Sequence, residues 1–170
     1  LDNGVMTHGD TAFTIVGAGL ATTTVDAQQS SKVLEQGTGM LTLQGFSVDN
    51  GKKGGLLSED GGAVEAQGDV VLEAMSFDGN TVGSDIGTSR GGAVYAAGAV
   101  IASNSVFTGN TATTGDVDLA NSYGGALYAG TVVSVRQSKF VPAVGATTAN
   151  GANNGGAVWG ETGAEIIVPN

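Results

Sequence analysis

A chain of 170 residues with net charge −10 and only 6 basic side chains has no Lys/Arg stripe for phosphates, which argues against nucleic acid and anionic membranes as partners. Its 41% hydrophobic and 13% charged content is not that of a disordered chain, and its 30 glycines lack the three-residue period of collagen. With no cysteine there is no disulfide and no thiolate-held metal, and no apolar run reaches the ~20 residues of a membrane-spanning helix.

The first residue is Leu1, with no signal-like segment, so the chain reads as a processed or partial form. Phe13-Thr14-Ile15-Val16 and Thr22-Thr23-Thr24-Val25-Asp26 read as two short strands around the turn Gly17-Ala18-Gly19. Asp26 to Gln36 is the one stretch where a helix could be placed. Leu41 to Asp49 then aligns with Val70 to Asp78, preceded by Lys32-Val33-Leu34.

From Gly61 onward the chain repeats itself. Gly61-Gly62-Ala63-Val64 returns as Gly91-Gly92-Ala93-Val94, Gly124-Gly125-Ala126-Leu127 and Gly155-Gly156-Ala157-Val158, at spacings of 30, 33 and 31. The aromatic landmarks Phe77, Phe107 and Phe140 each follow the second glycine by 15 residues. Length therefore varies only between the Phe and the next Gly pair, in the polar or Gly-rich segments Thr81–Arg90, Thr111–Tyr123 and Val144–Asn154. The constant half carries alternating apolar runs that read as strands, closed by Asp78-Gly79-Asn80 and Thr108-Gly109-Asn110, which is turn chemistry.

A repeat this short cannot bury its own apolar face, but stacked copies can. The expected fold is all-β: a right-handed parallel β-helix of about five coils of about 30 residues. Residues 1–60 form atypical N-terminal coils and residues 61–170 the regular repeats, ending mid-coil at an uncapped edge. Phe77, Phe107 and Phe140 should stack, as should Val64, Val94, Leu127 and Val158. Asn80 and Asn110 should form an amide ladder, and the Gly pairs should make a corner too tight for a Cβ. Sandwich strands are not copies at a fixed period, and propeller blades are longer.

Gly-Gly-Ala-Val/Leu followed by Phe-x-x-Asn resembles the repeat of the polymorphic outer membrane proteins, over roughly Gly61 to Gly160. Phe77-Asp78-Gly79-Asn80 and Phe107-Thr108-Gly109-Asn110 fit the second motif, whereas Phe140-Val141-Pro142-Ala143 lacks its Asn. The resemblance implies a right-handed, pectin lyase-like β-helix, an exported or cell-surface location, and adhesion. A shared fold does not fix function.

Reactive chemistry is sparse. His8 is the single histidine and stands outside the repeats. A polysaccharide lyase or hydrolase would need paired acids on one face. The candidates are Asp49, Asp60, Glu65, Glu73 and Asp78, of which Asp49 and Asp78 should stack on neighbouring coils. Arg90 and Arg136 do not obviously converge on them. No cofactor is expected. Calcium would suit an all-oxygen ligand set, with Asp116-Val117-Asp118 the nearest approach to a calcium loop. Tyr95, Tyr128 and Trp159 recur at one coil position, either as an outward strip for sugars or a protein partner, or as core.

The resulting expectation is a non-enzymatic surface or exported scaffold, structural or adhesive. The alternatives are an accessory subunit of a larger assembly, and a carbohydrate-binding or carbohydrate-cleaving β-helix. Partners would be other subunits or more of the same chain at the C-terminal edge, or glycans.

Overall fold

Along Leu41–Gln44 and Val70–Glu73 buried and less buried side chains alternate, which points one apolar set of each strand toward a common lumen. The structure is a computed structural model and describes residues 4–115, 121–143 and 150–167. Among these residues all regular structure is β-strand, and every paired strand runs parallel to its neighbour. Among the described residues no helix is long and apolar enough to cross a membrane.

A full coil has five strand positions, shown by Val64–Ala66, Val70–Glu73, Ser76–Asp78, Thr81–Ser84 and Ser89–Arg90. Equivalent strands of successive coils pair into five sheets of six, six, five, three and three strands, in about five turns. The segment Asp26 to Gln36 holds no helix. It leaves one strand at Thr24–Asp26, turns through Gln28 and Gln29 at positive φ, and enters the next at Leu34–Gln36. Leu34 pairs with Val64, so Ser31-Lys32-Val33-Leu34 occupies the place that Gly-Gly-Ala-Val holds later. The atypical coils thus share their sheets with the regular ones.

Phe77 and Phe107 stack at 5.5 Å, and Phe107 and Phe140 at 5.0 Å. Val64, Val94, Leu127 and Val158 pair in register. Phe77 and Phe107 have no exposed surface, and burying a side chain of this size contributes ~2–3 kcal/mol.

The corner before the first sheet is built by the Gly pair. Gly61, Gly91, Gly124 and Gly155 all have positive φ, between +59° and +68°. A Cβ on Gly92 would run into the Gly125 carbonyl oxygen and the Thr111 backbone. Only glycine meets both requirements.

Asn80 and Asn110 form the expected ladder, and it has a third rung. Asn110 Nδ2 donates to Asn150 Oδ1 at 2.8 Å. The repeat ending in Ala143 therefore lacks its Asn in sequence but not in space: Asn150 takes the place on the ladder. Each rung also ties the backbone, since Asn80 Nδ2 donates to the Val48 carbonyl and Asn110 Nδ2 to that of Phe77.

Candidate functional site

The sharp Gly-Gly corner brings two rows of outward-facing side chains against each other. The residue before the pair gives the row Asp60, Arg90, Tyr123 and Asn154. The residue following Gly-Gly-Ala-Val/Leu gives Glu35, Glu65, Tyr95, Tyr128 and Trp159. The second row begins acidic and becomes aromatic toward the C-terminal coils, while the first passes from Asp60 through Arg90 to Tyr123 and ends on Asn154.

Arg90 links them. Its Nε and Nη2 donate to the two oxygens of Asp60 at 2.7 Å each. Its guanidinium carbon lies 4.9 Å from the Tyr95 ring centroid and 5.4 Å from that of Tyr128. This fork with stacking is a geometry that Lys cannot reproduce. Burial pushes the Asp60 carboxyl up, against the hydrogen bonds and charge of Arg90. Burial also opposes the charge on Arg90, but Asp60 outweighs it and holds the guanidinium well above its ordinary value. The two short fork bonds mark the pair as ionised.

Lys32 closes the acidic end. Its side chain is 2% exposed, and its ammonium donates to Glu65 and lies 3.0 Å from Glu35. Burial works against this charge, but the two glutamates keep its pKa above the usual lysine range. At the aromatic end Tyr128 donates to Glu161 Oε1 at 2.6 Å, and Trp159 Nε1 donates to the same oxygen at 3.3 Å. Burial and Glu161 push the Tyr128 hydroxyl up to about 12.

The aromatic strip is therefore present but not an open platform. Tyr95 and Tyr128 stack at 5.2 Å and are only 8% and 3% exposed. The reading of an outward strip is corrected for these two residues: they leave the lumen side of the strand, yet Arg90 and neighbouring rings cover them. Trp159 and Tyr123 are half-buried, 5.1 Å apart, and carry the accessible aromatic surface of the corner.

The other candidate residues lie elsewhere. Asp49 stacks on Asp78, and the row extends to Asp26 on the N-terminal side; Thr108 follows Asp78 on the other. Burial, then Asp78 and Asp26, push the Asp49 carboxyl up. The Gln28 amide and the Asn50 side chain hold Asp26 down. Among the described residues no three His, Cys, Asp or Glu side chains converge as a metal-binding group. Glu73 and Arg136 face outward on the second sheet, two coils apart and separated by Ser103. His8 stacks on Phe13 at 4.2 Å. Gln36 Nε2 donates to the Gly9 and Thr11 carbonyls, which turns Oε1 toward His8 Nδ1 and makes that nitrogen the donor. Asp116-Val117-Asp118 lies outside the described residues.

Sequence reading separated Arg90 from the acids, whereas the structure joins it to Asp60. The signal was present: Asp60 and Arg90 are the residues immediately before consecutive Gly pairs, so stacked coils place opposite charges side by side.

In comparison with known families, the model of the Chlamydia polymorphic membrane protein (Chlamydia_PMP) repeat matches residues 74–97 and 104–130. No curated protein and no solved structure matches the chain.

Proposed function

We propose that this chain, which carries the Chlamydia polymorphic membrane protein repeat at residues 74–97 and 104–130, is a surface-displayed, non-enzymatic β-helix that holds variable segments out for adhesion. One observation carries this reading. From the coil of Val64 to that of Val94 the offset is 30 residues at the first four strand positions and 33 at the fifth. From there to the coil of Leu127 it is 33 at the first three positions, while Thr111 meets Gly151. From the coil of Val64 onward, changes in length are absorbed along one edge, between the third and fifth positions, whereas the first coil takes up five extra residues between its second and third positions. A rigid scaffold with tolerant loops on one side suits recognition. The charges of the Gly-Gly corner are spent on one another, as Arg90 on Asp60 and Lys32 on Glu35 and Glu65, which fits a structural corner better than a reactive one.

The test is binding of the purified chain to glycan and protein arrays, beside a variant in which residues 115–121 are replaced by Asp85-Ile86-Gly87-Thr88. The variant should keep its β-sheet circular dichroism and lose at least tenfold in binding to whatever the parent captures. Depolymerisation of any polysaccharide in a reducing-end assay, abolished by Asp49→Asn or Asp78→Asn, would replace this reading with an enzymatic one.

A further inference from the structure

We propose that Asn50–Gly51 is a latent self-modification site, held shut by Asn80 while the coil of Leu34 is stacked on the coil of Val64, and cyclising to a succinimide when the two part. The register of the third sheet shows how the site arises. Asp49, Asp78 and Thr108 pair in one row. Gly79-Asn80 and Gly109-Asn110 then follow at equivalent places, but the earlier coil reverses the order to Asn50-Gly51. Asn50 therefore takes the left-handed turn, at φ +56° where Gly79 and Gly109 have +63° and +58°, a conformation that Asn tolerates better than most residues. Gly51 stands where the later coils carry a rung of the ladder. A Cβ on it would lie 2.7 Å from Asn80 Oδ1, from the Gly62 carbonyl oxygen and from Ala63 Cα, so packing fixes the glycine.

Glycine after Asn leaves the backbone nitrogen unhindered for attack on the carboxamide. The Gly51 nitrogen gives its proton to solvent and bonds to Asn50 Cγ, and Nδ2 leaves as ammonia. Water then opens the ring at either carbonyl, which puts aspartate or isoaspartate at position 50. In the stacked coils the nucleophile is withheld. The Gly51 N–H donates to Asn80 Oδ1 at 2.7 Å, and Asn80 has no exposed surface and is itself held by Asn110. The carboxamide is less protected, since Asn50 is half-buried and donates from Nδ2 to Asp26 Oδ1 at 3.1 Å. Asn150–Gly151 is different, because there the carboxamide is itself a buried rung, bonded to Asn110 and to the Phe107 carbonyl. Reaction at Asn50 keeps the coils from restacking. Isoaspartate adds a methylene to the main chain at a corner whose register is set residue by residue, and either product puts a carboxylate beside Asp26 in place of a donor. This site is independent of the adhesive edge.

Peptide mapping by mass spectrometry, on chain aged at mildly alkaline pH, tests the proposal. Asn50 in the native chain should convert at least about tenfold more slowly than in urea-unfolded chain. Asn80→Ala should remove most of that protection. Asn110→Ala is the control: it breaks the next rung but leaves Asn80 Oδ1 for Gly51, so Asn50 should stay protected. Conversion in the native parent as fast as in urea, or equal conversion in the two variants, overturns the site. If Asn80→Ala does not fold, hydrogen exchange at the Gly51 amide of the parent decides. It should be as slow as that of Phe77 in the core strand, and exchange at the rate of an unfolded peptide is equally fatal.

Discussion

Asn80 Nδ2 donates to Asn110 Oδ1, one coil on, at 2.9 Å, and the same oxygen accepts the Asn80 backbone N–H at 3.0 Å. One side-chain oxygen thus satisfies two donors at a corner with no exposed surface on either residue. The amide is well suited to this position because it donates and accepts at once, so each rung serves the rung before it and the rung after.

Asn110→Ala removes the partner of the Asn80 N–H and of the Phe77 carbonyl. Leaving buried groups unpaired should cost about 2–4 kcal/mol. Urea unfolding should show a lower midpoint at unchanged slope. A loss below about 0.5 kcal/mol would mean that water replaces the rung.

The Arg90–Asp60 fork should separate charge from geometry. Arg90→Lys keeps the charge and loses the fork and the stacking on Tyr95 and Tyr128, at a cost of about 1–2 kcal/mol. Arg90→Met strands a buried carboxylate and should cost about 2–4 kcal/mol at neutral pH, allowing for partial exposure of the pair. Adding Asp60→Asn to Arg90→Met should recover most of that loss in denaturant titrations. No recovery in the double variant would show that Asp60 does not depend on Arg90.

The Asp26–Asp49–Asp78 row has a pH signature. The Asp49 carboxyl is pushed above its ordinary value of 3.8 in the folded chain, by burial first and then by Asp78 and Asp26. The native state therefore holds this proton more tightly than the unfolded chain. The resulting stabilisation is complete below the unfolded value and is lost as pH rises through the folded one. Asp49→Asn should leave stability at pH 3 nearly unchanged and raise it at pH 7, by less than about 1 kcal/mol because solvent screens a half-exposed row. Unfolding midpoints at the two pH values decide this, and an equal change at both would remove Asp49 as the source.

Much of the fold was legible because a solenoid writes its contacts into its period. Phe77 to Phe107 is one repeat, so the spacing already names the stacking partner, and the same holds for Val64 and Val94. Asn150 was not legible, because it stands ten residues after Phe140 where Asn80 and Asn110 stand three after Phe77 and Phe107, and only its hydrogen bonds to Asn110 place it on the ladder. The Arg90–Asp60 pair is readable in the sequence, as both residues precede Gly pairs and opposite charges recur there one repeat apart. The burial of Tyr95 was not readable. Strand alternation sends it out of the lumen, and nothing in the period says that the next row folds over it.

By itself the sequence determined the coil: which residues face the lumen, which stack on which, and where glycine is obligatory. These follow from a period-two alternation inside a thirty-residue repeat, and both are properties of chain order. The tertiary structure alone decided what happens between rows and at the ends of stacks. Whether Arg90 covers Tyr95 and whether Asp26 joins Asp49 and Asp78 both depend on corner angles and side-chain volumes. Those are set when separate parts of the coil meet in space, and no spacing along the chain encodes them.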